Sequence, residues 1–182
     1  MDHIRVDHKI RLELIDLQQA EVIFKAIDSN RKYLSEWLPF VEYTEKIADT
    51  ELFIQSLTSQ FHPKKDEVFM IFYDEKFAGL IGLKDTDWTN RKTEIGYWLI
   101  EKMQGKGLVT KSIQHLIRYI FHELNLNRIQ IKVATGNTKS AAIPVRLGFR
   151  YEGTERQGER KNNEYFHLDV FSLLRSDLLS GT

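Results

Sequence analysis

The sequence predicts a mixed α/β protein containing one parallel strand–helix–strand unit, and two patterns support this fold class. Apolar runs at 68–73 and 77–83 are separated by three polar residues, a spacing typical of an antiparallel hairpin. A strand at 93–100, a helix over 106–124 and a strand at 128–134 then follow one another along the chain. Two strands joined by such a helix are expected to be parallel, with a right-handed connection.

The elements before the hairpin are predicted to be one strand and three helices. Ile10, Leu12 and Leu14 alternate with charged residues, which is typical of a half-buried strand and predicts a strand over 4–14. The three helices are predicted over 17–27 with Asp16 as the cap, over 30–38 ending before Pro39, and over 45–61.

The elements after the hairpin include the most regular helix of the chain. Apolar residues between 106 and 124 fall on one helical face, as in a helix that packs on a core. A second helix over 137–147 is predicted to end at Gly148, because glycine is favoured just past a helix end. Two further strands are predicted at 149–155 and 164–173.

Length and composition limit the class of protein. A chain of 182 residues is the size of one domain, and we expect a single domain over 1–182. No apolar run approaches the roughly 20 residues of a membrane span, and the first residues lack the pattern of a signal peptide, so we expect a cytoplasmic protein that does not contact membranes.

Charge and side-chain chemistry exclude further classes. The 26 Lys and Arg residues balance 26 Asp and Glu residues, which argues against direct binding of nucleic acid. The absence of cysteine excludes disulfides, thiolate metal sites and a cysteine nucleophile. The histidines lack the spacing of a zinc site, so no metal is expected.

The segment from Gln104 to Thr110 carries the strongest functional signal. Gly105 and Gly107 lie between a predicted strand and a predicted helix, where backbone can approach a ligand and free N–H groups can bind a phosphate. The spacing differs from the Walker loop, and Thr110 stands where the dinucleotide fingerprint has its third glycine. The alternative is a tight strand-to-helix turn without a ligand.

A second segment, Asn137-Thr138-Lys139-Ser140 followed by Leu147-Gly148-Phe149, identifies a family when taken with the first. Together they resemble the GNAT acetyltransferases, whose acetyl-CoA motif has the form Q/R-x-x-G-x-G/A. Residues 94–99 and 104–110 are similar to the RimJ/RimL group, the ribosomal-protein N-terminal acetyltransferases. Val109 departs from the motif, which prefers Gly or Ala there, and would narrow the room for the phosphates.

This resemblance implies a fold and a cofactor. The fold would be a central, mostly antiparallel, twisted sheet with a parallel βαβ core, in which the strands at 93–100 and 128–134 splay apart to admit the pantetheine arm of acetyl-CoA. The resemblance implies these cofactor-binding residues: Leu99, Ile100, Met103, Gln104, Gly105, Lys106, Gly107, Leu108, Val109, Thr110 and Asn137.

The resemblance also implies an N-acetyltransferase in which the amine attacks the thioester directly. Ser140 would protonate the leaving thiolate and Glu94 would act as the general base, with Glu159 as a competing candidate. Without these roles, Ser140 would be a first-turn hydroxyl and Glu94 a surface carboxylate near Lys92. Asn137 is expected to cap its helix under either interpretation.

The acceptor implied by the resemblance is the N-terminal α-amine of a ribosomal protein. Polyamines, aminoglycosides and a noncatalytic acyl-CoA-binding module remain alternatives, and the sequence leaves the oligomeric state open, including a homo-oligomer. Residues 36–51 contain five acidic residues and one base, Lys46, a local charge of minus four. This charge favours a cationic acceptor, although a solvated helix face gives the same pattern.

Overall fold

The computed structural model of the protein describes residues 3–58 and 66–179. The chain forms two compact units. The first unit consists of Met1–Gly82 and Tyr97–Leu108, and the second consists of Leu83–Gly96 and Val109–Thr182. One N-acetyltransferase domain over 1–182 stays a prediction. No helix in residues 3–58 and 66–179 has both the length and the apolar character needed to cross a membrane.

Eight strands form one mixed sheet within the described residues, in the order β1-β2-β3-β4-β5-β6-β8-β7. The strands are β1 His3–Arg5, β2 Ile10–Leu14, β3 Val68–Tyr73, β4 Lys76–Asp87, β5 Lys92–Leu99, β6 Arg128–Ala134, β7 Arg150–Lys161 and β8 Glu164–Leu174. β5 and β6 pair parallel, whereas β1 with β2, β2 with β3, β3 with β4, and β8 with both β6 and β7 pair antiparallel. The predicted mixed α/β fold is confirmed.

The prediction of one strand over 4–14 is wrong, because the chain reverses direction between β1 and β2. His3 pairs with Glu13 and Arg5 with Arg11 in an antiparallel register. The carboxylate of Asp7 accepts hydrogen bonds from the backbone N–H groups of Lys9 at 2.8 Å and Ile10 at 2.9 Å. An aspartate side chain that binds its own backbone in this way stabilises a turn, which overrides the alternating pattern.

The helices of the first unit differ from the predicted ones in their bounds. They are α1 Ala20–Ser29, preceded by a 3₁₀ turn at Leu17–Gln19, α2 Arg31–Leu34 and α3 Ile47–Thr58. Asp16 is a cap as predicted, because its carboxylate accepts from the N–H of Gln18 at 2.8 Å. The predicted end of the third helix at 61 lies outside the described residues.

Apolar side chains from these helices and from the sheet form the core of the first unit. The buried cluster includes Ile23 and Ile27 of α1, Ile54 of α3, Met70 of β3 and Trp98 of β5. The predicted hairpin is confirmed as β3 and β4, which pair from Tyr73 with Lys76 to Val68 with Gly82. The core therefore holds the end of β5, from which the glycine turn begins.

The second unit contains the parallel pair and the two helices that carry the motifs. β5 and β6 pair in parallel only at their first three residues, which join Lys92, Thr93 and Glu94 to Arg128, Ile129 and Gln130. Both strands continue beyond this pairing, as expected for strands that splay apart. Helix α4 Leu108–Arg118 begins two residues later than predicted and continues as a π-helical turn at Tyr119–Glu123. Helix α5 is Thr138–Arg146, and α6 is Arg175–Leu179.

The hairpin of β7 and β8 is longer than predicted. Residues 156–161 continue β7 instead of forming a polar connection, so that Glu159 lies opposite Phe166. The register shifts between Glu155 and Glu159, and Asn162 and Asn163 form the turn with φ values of 52° and 64°. β7 is polar because most of its side chains are exposed to solvent. Its sequence therefore lacks the apolar alternation from which a strand is predicted.

Candidate active site

The glycine turn is anchored at its start by backbone hydrogen bonds to the first unit. The N–H of Ile100 donates to the carbonyl of Ala78 in β4 at 2.9 Å, and the N–H of Glu101 donates to the side-chain oxygen of Asn30 at 3.1 Å. A 3₁₀ turn at Glu101–Met103 then leads to Gln104. Leu99, Ile100, Met103 and Gln104 are all half-buried. The chain therefore enters the turn from a fixed position.

Gly105 and Gly107 both adopt a left-handed backbone conformation with φ of 72°. A Cβ atom added at either residue would find no heavy atom within 4 Å. Glycine is therefore favoured by the backbone conformation, and the space beside both residues is open. Residues with a side chain pay a cost in this conformation.

Helix α4 begins directly after this turn, and the first N–H groups of a helix have no partner within that helix. Leu108 and Val109 are buried, and Thr110 is half-buried. The Val109 side chain is only 5% exposed and occupies the interior. Its effect on the space for a phosphate stays a prediction.

Lys106, between the two glycines, is directed toward the aromatic ring of Tyr73. Its ammonium nitrogen lies 5.2 Å from the centre of that ring, and the ammonium nitrogen of Lys9 lies 5.8 Å from the same centre. Both distances are within the range of a cation–π interaction. Lys106 is exposed and places a positive charge at the turn.

Asn137 and Ser140 lie together at the start of α5. The side-chain oxygen of Asn137 accepts a hydrogen bond from the backbone N–H of Ser140 at 3.2 Å, which confirms the predicted cap. Ser140 is half-buried in the first turn, and its hydroxyl group is not the atom that binds Asn137. The cap therefore fixes the backbone position of Ser140.

Arg146, in the last turn of α5, contacts α4 through a hydrogen bond that the sequence did not predict. Its Nη1 donates to the hydroxyl oxygen of Thr110 at 3.3 Å. The two residues are 36 positions apart on different helices, and no local sequence pattern relates them. This contact brings a guanidinium group to the first turn of α4.

Glu94 is buried, so its interpretation as a surface carboxylate near Lys92 is wrong. Its side chain is 8% exposed, and its Oε1 lies 2.8 Å from the Nζ of Lys84 in an ion pair. The side-chain amide of Gln130 donates to the other carboxylate oxygen at 3.4 Å. Both faces of β5 are covered at this point, since Thr93, Glu94 and Ile95 are all buried.

Glu159, the competing base, belongs to the same charge cluster as Glu94 and Lys84. Partial burial raises the pKa of Glu159 above its ordinary value; the positive charge of Lys84 opposes this rise and the negative charge of Glu94 adds to it. Burial alone would lower the pKa of Lys84, but its ion pair with Glu94 leaves that pKa raised. We call these three residues the Lys84 cluster.

The two units therefore contain different parts of the predicted site. The first unit carries Leu99 to Leu108, and the second carries Glu94, Val109, Thr110, Asn137 and Ser140. Among the described residues, no group of three or more His, Cys, Asp or Glu side chains is arranged to hold a metal ion.

The acetyltransferase class predicted from the two motifs has a characteristic order of elements. This chain has that order: a strand, a left-handed glycine turn and a helix are followed by a parallel strand and an Asn-capped helix. Residues 9–150 match the family described as Acetyltransferase (GNAT) domain. The chain belongs to this family and is an N-acetyltransferase.

Comparison with known proteins agrees with this assignment. A Bacillus subtilis (strain 168) protein with the provisional name ribosomal N-acetyltransferase YdaF is 37% identical over 95% of both chains. The ribosomal-protein-serine acetyltransferase of Escherichia coli (strain K12) is 27% identical over 93% of this chain and 94% of its own. The microcin C7 self-immunity acetyltransferase MccE, solved with acetyl-CoA and AMP, is similar with a TM-score of 0.88 and 29% identity over 95% of this chain and 96% of that one.

Proposed function

We propose that the protein transfers the acetyl group of acetyl-CoA to the N-terminal α-amine of a ribosomal protein. The observation that carries the use of acetyl-CoA is the open glycine turn, in which two residues at φ of 72° precede the free N–H groups of α4. The similar enzyme MccE was solved with acetyl-CoA. The two relatives named for ribosomal acetylation cover almost the whole chain and support the acceptor.

The main-chain N–H groups of residues 105–110 would hold the pyrophosphate of the cofactor. The open space beside Gly105 and Gly107 fits this group, because neither glycine has a neighbour within 4 Å of the Cβ position. The positive end of the α4 dipole and the ammonium group of Lys106 add favourable charge. The resemblance to the family also implies cofactor contacts for Leu99, Ile100, Met103, Gln104 and Asn137.

Two groups would move protons while the amine attacks the thioester carbonyl. The Ser140 hydroxyl would donate a proton to the leaving sulfur, with its backbone fixed by the Asn137 cap. The acceptor amine is largely protonated at neutral pH, so a base must remove a proton first. Glu94 or Glu159 of the Lys84 cluster would accept it, directly or through one water.

The acidic segment 36–51 supports a cationic acceptor. Glu36 and Glu45 are exposed, and Glu42 and Glu51 are half-buried. A net charge of minus four in this segment would attract a positively charged amine at low ionic strength. A protein N-terminus with basic residues beside it meets this description. Cytoplasmic location follows from this acceptor and remains part of the proposal.

The proposed function is tested by measuring thiol release from acetyl-CoA with a panel of acceptors. N-terminal peptides of ribosomal proteins should give the highest kcat/KM, and the same peptides with a blocked N-terminus should give none. Spermidine and an aminoglycoside represent the alternative acceptors. Faster turnover with either one would refute the ribosomal acceptor, and binding of acetyl-CoA without thiol release from any amine would indicate a noncatalytic module.

A further inference from the structure

Lys84 in β4 is an exposed lysine that contacts a buried carboxylate. Its ammonium nitrogen lies 2.8 Å from Oε1 of Glu94, whose side chain is only 8% exposed. The side-chain amide of Gln130 donates to the other carboxylate oxygen at 3.4 Å. A buried carboxylate is costly unless it is both paired with a charge and hydrogen-bonded. Lys84 therefore compensates the negative charge of Glu94 and fixes the place of its carboxylate.

Two left-handed residues lie next to the charged side chains of the Lys84 cluster. Asp85, which follows Lys84 in β4, has φ of 53°, and Gln157, two residues before Glu159 in β7, has the same value. The register of β7 shifts between Glu155 and Glu159, where Gln157 lies. This conformation is unfavourable for residues with a side chain, and such departures from regular strands often direct a side chain toward a functional site.

The charged groups of the cluster and its surroundings all belong to the second unit. They are Lys84 and Asp85 from β4, Glu94 from β5, Lys132 from β6, and Glu159 and Lys161 from β7. β8 adds His167, whose Nδ1 accepts a hydrogen bond from the N–H of Gln157 at 2.9 Å. Burial raises the pKa of Glu159, the charge of Lys84 opposes that rise, and the weaker effect of Glu94 adds to it. Lys84 therefore acts on both candidate bases.

We propose that Lys84 is a positioning residue for proton removal from the acceptor amine: it holds the Glu94 carboxylate in place and determines the pH above which the Lys84 cluster accepts the proton. This inference rests on the proposed function and adds to it a residue that lies outside both motifs. The proton moves from the acceptor ammonium group to a carboxylate oxygen, and the free amine then attacks the thioester. Lys84 acts through the two carboxylates and not on the reacting atoms.

The direction of the effect follows from the charge of Lys84. A carboxylate can accept the proton only in its ionised form, so kcat/KM rises with pH as the base ionises. A positive charge nearby favours the ionised form, and at about 4–6 Å it typically lowers the pKa of a carboxylate by about 1–3 pH units. Loss of the Lys84 charge therefore moves the acidic limb of the profile to higher pH, whichever of the two carboxylates is the base.

The test compares pH profiles of kcat/KM, measured as thiol release from acetyl-CoA with the acceptor that the wild type uses best. Lys84→Met removes the charge and keeps most of the side-chain length, and we expect its acidic limb to move up by about one pH unit. Lys84→Arg keeps the charge and should keep the limb close to its wild-type position. Lys84→Gln, which can still donate a hydrogen bond to Glu94, replaces Lys84→Met if circular dichroism shows that Lys84→Met is unfolded.

Lys92→Met is the matched control, because it removes one positive charge from β5, two residues from Glu94, where the lysine is exposed to solvent. Solvent screens this charge, so the acidic limb should move far less than in Lys84→Met.

Three results would overturn the inference and leave the proposed function standing. They are an acidic limb that stays in place or moves down in the folded charge-removing variant, an equal upward shift in Lys92→Met, and loss of folding in both Lys84→Met and Lys84→Gln, which would make Lys84 a structural residue. Absence of thiol release by the wild type with every acceptor would overturn the proposed function, and this inference with it.

Discussion

Alanine substitutions at Gly107 and Gly148 separate a ligand-binding role of the glycine turn from a structural one. The two glycines have similar backbone conformations, with φ of 72° and 79°, and neither has a heavy atom within 4 Å of the Cβ position. A methyl group therefore meets no steric conflict at either residue. The cost of each substitution is the left-handed conformation alone, about 1–2 kcal/mol in the free energy of unfolding.

Affinity for acetyl-CoA should distinguish the two variants. Gly107 lies in the turn proposed to hold the pyrophosphate, where a methyl group would prevent close approach of the backbone to the phosphate. Gly148 follows α5 and ends that helix. We expect Gly107→Ala to bind acetyl-CoA about tenfold more weakly, equivalent to about 1.4 kcal/mol, and Gly148→Ala to bind it as the wild type does.

The assay combines urea unfolding of the apoprotein with calorimetry of acetyl-CoA binding for the wild type and both variants. Equal losses of stability with a selective loss of affinity in Gly107→Ala would support the phosphate turn. Wild-type affinity in Gly107→Ala would mean that the segment is only a tight strand-to-helix turn. The same loss of affinity in Gly148→Ala would show that instability, and not the missing phosphate contact, lowers the affinity.

Three further predictions follow from the structure. Hydrogen bonds from Arg128 and then from Ser172 lower the pKa of Glu152 from 4.5 to about 2. Its carboxylate therefore stabilises the fold above pH 4.5, and this contribution is lost as the pH falls toward 2. Glu152→Gln should therefore lose less stability than the wild type between pH 4.5 and pH 2, as measured by unfolding followed by circular dichroism. Gly79→Ala should cost more than about 3 kcal/mol in urea unfolding, because its Cβ would lie 2.0 Å from the carbonyl oxygen of Trp98. Ser140→Ala should lower kcat by about 100-fold or more while the Kd for acetyl-CoA stays unchanged; equal loss of folding stability and kcat would indicate a structural role.

The elements predicted from sequence were accurate where local patterns and tertiary packing agree. The amphipathic α4, the β3 and β4 hairpin and the β6 strand have alternating or helical patterns that match the buried face in the structure. The Asn137 cap was also predicted correctly, since it depends only on residues within one helical turn. These features need no information from distant parts of the chain.

The errors arise where a side chain or a strand pairing overrides the local pattern. Asp7 binds the backbone of Lys9 and Ile10 and divides the predicted first strand, although its neighbours alternate as strand residues do. The polar residues after Glu155 join β7 because β8 supplies their backbone partners, while their side chains remain in solvent. A strand that is held by pairing with another segment, with its side chains in solvent, shows no hydrophobic pattern in its own sequence.

Each residue of the candidate site was predicted from its own segment of the sequence. The ion pairs and hydrogen bonds between distant residues were not predicted. Lys84 is 10 positions from Glu94 and carries no motif, yet its ammonium group pairs with that buried carboxylate at 2.8 Å. Arg146 of α5 likewise donates a hydrogen bond to Thr110 of α4, 36 positions away. Pairs of this kind depend on tertiary structure, whereas the glycines and the Asn cap depend on the backbone of their own segment.

The Lys84 cluster determines how substitutions of the two candidate bases must be interpreted. Burial and the charge of Glu94 raise the pKa of Glu159, and the charge of Lys84 lowers it, so this pKa depends on both neighbours. If Glu159 is the base, Glu94→Gln removes a negative neighbour and shifts the acidic limb of the kcat/KM profile to lower pH without abolishing it. If Glu94 is the base, Glu94→Gln abolishes that limb and Glu159→Gln retains it. The base is therefore the residue whose removal eliminates the limb, and a loss of rate at a single pH does not identify it.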